Sequence, residues 1–332
     1  MLGASPHSVA GERLTVGFDI GGTNTRAGVV TPAGEVLAER SAPTSQDADE
    51  LAATIEEIVS GFRRKYEIDA VGLAIAGFLD PDCEVVRFAP HLPWRDNRPV
   101  RAELEEALGL PVRLEHDANS AAWGEYKYGA ANNAQTWVFF AVGTGIGATL
   151  MHRGEIYRGA FGTAPEFGHL TVVPGGRVCS CGKKGCLERY ASGTALVDCA
   201  VERATMGRYE QCGLYRKVVD KRATGHDVMA AARAGDALGQ AALDSFGTWL
   251  GRGLSIVADV LDPSLIVLGG GVSADADLFL ERAREEMAAT MVGAGYRPVP
   301  EVVRAEMGPK AGMIGVADLA RECSVGASGT NC

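Results

Sequence analysis

Apolar positions run almost unbroken from Leu14 to Ile20, stop at Gly21-Gly22 and resume from Arg26 to Thr31, which predicts a buried strand, a tight turn and a returning strand. The arrangement recurs at Trp137–Val142, Gly143–Gly147 and Ala148–Met151, hinting at an internal duplication with two similar halves facing a cleft. Between these hairpins, Leu51, Ile55, Ile58, Val59 and Phe62 fall at helical spacing within 47–66, with Asp47 or Asp49 as N-cap. Ala70–Ala76 reads as a buried strand and Val112–Glu115 as a shorter one, with a helix over Asp117–Tyr126 starting at its end. Further on, Leu243, Phe246, Leu250, Leu254, Val257 and Leu261 mark one helical stripe ended by Pro263. Gly247, Gly251 and Gly253 weaken that helix and point to a close neighbour. A strand over Ser264–Leu268 then runs into Gly269-Gly270-Gly271 and a helix over Asp275–Met291. Residues 202–226 carry scattered charge with little periodicity and read as a mobile connection, and the tail 324–332 as disordered.

Length and charge narrow the classes of function. The 332 residues suffice for two domains of about 150 each, and an apolar share of 46% supports full cores. The 32 basic and 42 acidic residues give a net charge of −10 without a basic stripe, so no nucleic-acid partner is expected and an anionic ligand has to be held locally. Residues 1–13 lack the apolar centre of a signal peptide, and no run reaches the roughly 20 apolar residues of a membrane span. The expectation is a cytoplasmic protein with no membrane partner.

Three thiols and an imidazole make the most specific chemistry. Glu166-Phe-Gly-His169 is followed by Cys179-Ser-Cys181 and Cys186-Leu-Glu188, a set suited to tetrahedral zinc, with Gly182 and Gly185 letting a short loop wrap one ion. A disulfide with chance clustering is the competing reading. Cys83, Cys199, Cys212, Cys323 and Cys332 lie outside the set and fit scattered free thiols. Asp19-Ile-Gly21-Gly22-Thr23-Asn24 can cradle phosphate through close backbone approach, with a carboxylate for hydrated Mg²⁺, though an ordinary hairpin turn explains the glycines equally well. Gly143-Thr144-Gly145-Ile-Gly147 repeats the logic without the signature of a P-loop or a dinucleotide site. Asp117 sits where ligands gather in α/β sheets, yet an aspartate at a helix start is more often only a cap.

Taken together, Asp19–Asn24, Ala76-Gly77, His116-Asp-Ala-Asn119, Gly143–Gly147, Glu166–His169, the cysteine knuckle and Leu268–Gly271 resemble the ROK family over about 14–322, and within it the ATP-dependent bacterial glucokinases. The resemblance implies an actin-like (ribonuclease-H-like) α/β fold of two duplicated domains with a central cleft. The domains would be 12–125, joined by a C-terminal helix 312–323, and 126–311 with a zinc knuckle at 169–186, with flexible tails at 1–11 and 324–332. It implies ATP-dependent phosphorylation of glucose at the 6-hydroxyl, with Mg²⁺ and a structural Zn²⁺, in a homodimer or homotetramer. By position, Asp117 is the base. Gly77, His116, Asp117, Glu166, His169 and Glu188 would bind the sugar. Asp19, Gly21, Gly22, Thr23, Asn24, Gly143, Thr144, Gly145, Gly269, Gly270 and Gly271 would hold ATP, and His169, Cys179, Cys181 and Cys186 the zinc.

Two departures bear on specificity. Many family members carry Asn where this chain has His116 and His91, so the preferred hexose is open among glucose, fructose, mannose and N-acetyl-hexosamines. A sugar-responsive regulator without catalysis is the rival from another class, and a ROK-type repressor would need a DNA-binding segment before the first strand.

Overall fold

The computed structural model describes residues 13–325. The described residues form two compact units, the first comprising 13–133, Ile156–Ala164 and 309–325, the second Ala134–Glu155 and Pro165–Gly308. Segment 156–164, which the sequence assigned to the second half, thus belongs to the first unit.

In the first unit β1 (Leu14–Ile20) pairs antiparallel with β2 (Asn24–Val30), and β2 with β3 (Val36–Pro43). Helix α1 (Ala48–Arg63) starts where the Asp47 carboxylate accepts from the Asp49 and Glu50 N–H groups. It buries Leu51, Ile55, Ile58, Val59 and Phe62 against the sheet core. The chain returns as β4 (Ile68–Ile75), parallel to β1. Three short strands, β5 (Phe78–Leu79), β6 (Val86–Phe88) and β7 (Arg95–Arg98), form a small sheet of their own. Helix α2 (Val100–Leu108) precedes β8 (Val112–His116), parallel to β4, and α3 (Asp117–Tyr128) begins at its last residue. The main sheet order is β3-β2-β1-β4-β8.

The second unit repeats this plan. Strands β9 (Thr136–Val142) and β10 (Ile146–His152) form the antiparallel hairpin, with β11 (Glu155–Tyr157), whose Ile156 and Tyr157 open segment 156–164, at the edge of the same sheet. Helices α4 (Glu188–Ala191), α5 (Gly193–Ala204), α6 (Tyr215–Val219), α7 (Gly225–Arg233) and α8 (Ala237–Leu261) follow. Strand β12 (Leu265–Gly269) runs parallel to β9, and after α9 (Leu280–Thr290) β13 (Glu301–Arg304) runs parallel to β12. The order β11-β10-β9-β12-β13 matches the first sheet strand for strand, so the duplication suggested by the two glycine hairpins extends to topology.

Helix α10 (Ala311–Val325) completes the first unit. Thr15 Oγ1 donates to the Ala317 carbonyl at 2.8 Å. The buried Asp318 carboxylate accepts from Trp123 Nε1 at 2.9 Å, from Tyr128 Oη at 2.7 Å and from Arg321. A charge placed against apolar helices is stable because each oxygen is hydrogen-bonded.

Two expectations need correction, and a third falls almost wholly outside the described residues. Residues 202–226 are not a loose connection: Tyr209, Leu214 and Val218 are buried in the second core, and α6 lies among them. The helix expected over 275–291 is broken, with 3₁₀ turns over Gly271–Leu278 and a regular helix only from Leu280. The tails expected at 1–11 and 324–332 lie outside the described residues, except Ser324 and Val325, which continue α10. No helix of the described residues is long and apolar enough to cross a membrane.

Candidate functional site

Parallel strands end where helices begin, so side chains at those junctions are held by backbone on both sides. At the β8–α3 junction the N-cap is His116, not Asp117, which occupies the first helical position. Asp117 Oδ1 accepts from the Ala118 N–H at 2.7 Å, and 45% of the side chain remains exposed. His116 Nδ1 lies 3.3 Å from the Ala118 nitrogen and 3.2 Å from Asp117 Oδ1, which leaves Nε2 on the far edge of the ring. Asp19 is the last residue but one of β1, just before the glycine turn. Burial first, and then the charge of Asp117, push its carboxyl up to about 6, with Arg26 opposing. A buried carboxyl raised by a neighbouring carboxylate marks a donor set suited to a hard divalent cation, which would relieve the repulsion at Asp19.

The β1–β2 turn is braced from several sides. Gly21 N–H donates to the Asn24 carbonyl at 3.1 Å, and Thr44 donates its hydroxyl to the Gly21 carbonyl at 2.7 Å and its N–H to the Thr23 carbonyl at 3.1 Å. Thr23 and Asn24 stand exposed at the tip, while Gly22 backs onto His91. Gly77 is buried between β4 and β5 against Ala89, where a Cβ would clash.

In the second unit a cavity of about 590 Å³ is lined by Gly143, Thr144, Gly193, Thr194, Leu196, Val197, Asp198, Gly225, His226, Met229, Gly271, Val272 and Asp275. Helices α5 and α7 both start at its wall, from the caps Ser192 and Thr224, and so direct positive dipole ends toward it. Leu196, Val197, Met229 and Val272 make an apolar face, and Asp198 and Asp275 supply acceptors. The combination suits a ligand with a flat apolar part, hydroxyls and an anionic end. Of the positions expected to hold ATP from this unit, Gly143, Thr144 and Gly271 line the cavity. Gly145 turns away onto Glu188, Gly269 packs on Phe139 and Gly270 on Val142.

The cysteine cluster lies in the same unit. One donor atom each from His169, Cys179, Cys181 and Cys186 fall within 4.8 Å of one another. A tetrahedron with zinc–sulfur bonds of about 2.3 Å has edges of about 3.8 Å. The Cys181–Cys186 sulfur separation is 3.7 Å and Cys179 Sγ lies 3.6 Å from His169 Nδ1, so the set fits zinc. Burial, then the neighbouring thiols, push Cys186 up to about 12, a cost that a divalent cation removes by holding thiolates. Backbone bonds from Cys179 N–H to Lys183 and from Gly185 N–H to Arg177, at 2.9 and 2.8 Å, close the knuckle. Gly182 and Gly185 adopt φ of 89° and 79°, a region that glycine enters freely. Around it, His169 Nε2 faces Glu166 Oε2 at 3.8 Å, and Glu188 accepts from the Ile146 N–H at 3.0 Å with its other oxygen 3.8 Å from Cys179 Sγ. The seven described cysteines are free thiols.

The sequence profile of the ROK family matches residues 15–323. The chain belongs to the ROK family. A glucokinase of Streptomyces coelicolor is 40% identical over 311 residues, which cover 93% of this chain and 98% of that protein. The structure of a ROK family glucokinase from Streptomyces griseus, in complex with glucose and AMPPNP, superposes with a TM-score of 0.82 at 38% identity, covering 93% of this chain and 99% of that one. The ROK hexokinase from Thermus thermophilus gives 0.76 at 32% identity over 94% and 100% of the two chains. With the repeated sheet order, these relations establish the actin-like duplicated α/β fold.

Within this ROK chain, some neighbours of the expected residues were not legible beforehand. Gly193, Thr194, Gly225 and His226 reach the cavity from helix starts whose signals, Ser192 as a cap and Thr224 with Asp227 as a capping box, are present in the sequence. Arg158 carries no motif, yet it donates to the fully buried Glu115 beside Asp117.

Proposed function

We propose that this ROK protein transfers the γ-phosphoryl group of ATP to the 6-hydroxyl of glucose. The observation that carries the proposal is the Asp117 carboxylate, half exposed at a strand–helix junction and close enough to Asp19 for its charge to push the Asp19 carboxyl up. A base that takes a hydroxyl proton needs this combination of access and fixed backbone. Asp117 accepts the proton of the 6-hydroxyl as that oxygen attacks the γ-phosphorus in line. The bond to the bridging oxygen breaks, ADP leaves, and Asp117 later returns the proton to water. Mg²⁺, bound with Asp19, would neutralise charge on the phosphate oxygens.

The nucleotide belongs in the 590 Å³ cavity, where the apolar face suits the base, Asp198 and Asp275 the ribose hydroxyls, Gly271 lies near the adenosine, and the helix starts with Gly143 and Thr144 take the phosphates. The Asp19–Asn24 turn serves the transferred phosphoryl group. Sugar hydroxyls are taken by Gly77, His116, Asp117, Glu166, His169 and Glu188. Zinc held by His169, Cys179, Cys181 and Cys186 would fix the imidazole plane and tautomer, leaving Nε2 for a hydroxyl. The likeness to glucokinases over nearly the whole chain favours glucose among the hexoses.

The test is an ADP-release assay with MgATP over glucose, mannose, fructose, N-acetylglucosamine and N-acetylmannosamine, with Asp117→Ala in parallel. Glucose is expected to give the highest kcat/KM, and the folded variant to lose at least about 1,000-fold in kcat. Another sugar ranking first would move the specificity. No turnover with any would favour a sugar-responsive regulator instead.

A further inference from the structure

The buried charge behind Asp117 comes from two distant stretches of chain. Glu115 is 1% exposed and accepts four hydrogen bonds: from Arg113 Nη2 at 3.2 Å, from Arg158 Nη2, from Asn119 Nδ2 at 2.9 Å and from the His116 N–H at 3.1 Å. Burial opposes its ionisation, but the two guanidinium groups overcome that and hold its carboxyl near 2. Arg113 and Asn119 are local to the junction, two and four residues away. Arg158 is not. It arrives on segment 156–164, which packs in the first unit although the chain on both sides of it belongs to the second.

An ion pair this deeply buried adds little net stability, because desolvation offsets most of the attraction. Here Arg113 Nε and Arg158 Nε are buried without any acceptor, which reduces the gain further. What the pair supplies is geometry. Glu115 Oε1 grips the His116 backbone and the Asn119 side chain, one residue before and two after Asp117, while Oε2 is held by the arginines. Arg158 reaches Oε2 through Nη2 alone while its Nη1 donates to the Ile156 carbonyl at 3.3 Å, so the rigid guanidinium plane is anchored at a second point and delivers its N–H in a fixed direction, which a lysine does not.

We propose that Arg158 is a positioning residue, whose hold on Glu115 fixes the β8–α3 junction and so the place where the Asp117 carboxylate meets the substrate hydroxyl. The inference rests on Asp117 being the base of the phosphoryl transfer proposed above. A shift of about 1 Å in a reacting group costs on the order of 100-fold in rate. Arg113 remains as a counter-charge, so loss of Arg158 is expected to misplace Glu115 rather than unfold the unit.

The experiment compares the parent with Arg158→Lys and Arg158→Met in hexose phosphorylation kinetics and in amide hydrogen exchange over residues 112–120. Arg158→Met is expected to lower kcat by about 100-fold, with the KM for sugar and for MgATP within about threefold. Arg158→Lys should recover part of the loss. Exchange at 116–119 should quicken in step with kcat, while that of α8 stays as in the parent. Unchanged exchange at the junction would overturn the proposal whatever happens to turnover, and so would faster exchange with an undiminished kcat. A parent inactive on every hexose would instead overturn the phosphoryl-transfer reading, and the two failures differ because exchange reports on the junction without catalysis. Should Arg158→Met not fold, Arg158→Lys carries the same comparison.

Discussion

Asp19 is held in a state that favours its proton. Its carboxyl titrates near 6 because burial and the charge of Asp117 both disfavour the anion. For a group whose folded value lies above its unfolded one, the associated stability is complete at low pH and is lost as pH rises through the folded value. Between about pH 4 and 6 the native chain therefore gives up stability on this account. The full rise corresponds to about 3 kcal/mol, and partial solvent access reduces it to about 1–2 kcal/mol. Asp19→Asn is accordingly expected to raise Tm at pH 7.5 by about 2–6 °C, with the gain vanishing at pH 4, while phosphoryl transfer falls. Thermal scans at the two pH values decide it: an equal gain at both would mean that the desolvated carboxylate is not the cause. The sequence offered Asp19 as a phosphate-turn residue, but the opposition of Asp117 depends on two strand ends meeting in space. Spacing along the chain does not carry that, and Arg158 stayed unnoticed for the same reason.

At the scale of elements, legibility followed burial pattern. Helix α1 and its Asp47 cap, the long α8 stripe and both glycine hairpins were visible because apolar periodicity and turn residues agree there. Strands β5, β6 and β7 were missed, being two to four residues long and mostly polar, as in Arg95–Arg98. The knuckle at 169–186 was read from its donors and from Gly182 and Gly185, since its few apolar residues, Leu170, Val172, Val173 and Val178, give no helix or strand period. That same poverty makes its order depend on metal. Thr171, Val178 and residues 180–184 are exposed, and two isolated bridges with a few backbone bonds are all the regular structure it has. Stripping zinc with a chelator is expected to raise the sugar KM by about tenfold or more, as lost metal-site support usually does. The KM for MgATP should change little, because the cavity proposed for the nucleotide is walled by α5 and α7 rather than by the knuckle. Steady-state kinetics on the stripped and zinc-restored protein measure both, and a parallel rise in the two constants would refute the separation.

Across the whole molecule the duplication was legible and the interleaving was not. Two hairpins with glycine turns announced two similar halves, and the sheets share one strand order. Nothing in the sequence told that 156–164 leaves the second unit to pack in the first, because that depends on Arg158 and Gly162 finding Glu115 and Asp80. The first unit is also closed by the last helix of the chain. Strand β1 and strand β4 meet α10 at Gly17 and Gly72, where a Cβ would overlap the Met313 and Val316 carbonyl groups, so helix and sheet approach to backbone contact. Helix α10 buries Met313, Ile314, Val316 and Leu319, and side chains of that size are worth about 1.5–3 kcal/mol each. The resulting 6–12 kcal/mol is comparable to the entire stability of an ordinary domain, about 5–15 kcal/mol. Ending the chain before Ala311 should therefore unfold the first unit and leave the second, whose core contains no residue of α10, standing. Limited proteolysis with mass mapping distinguishes the outcomes. Cuts spread through residues 14–133 with 165–308 protected are expected, whereas a protected β1–β4 sheet in the shortened chain would mean that α10 covers the unit without holding it together.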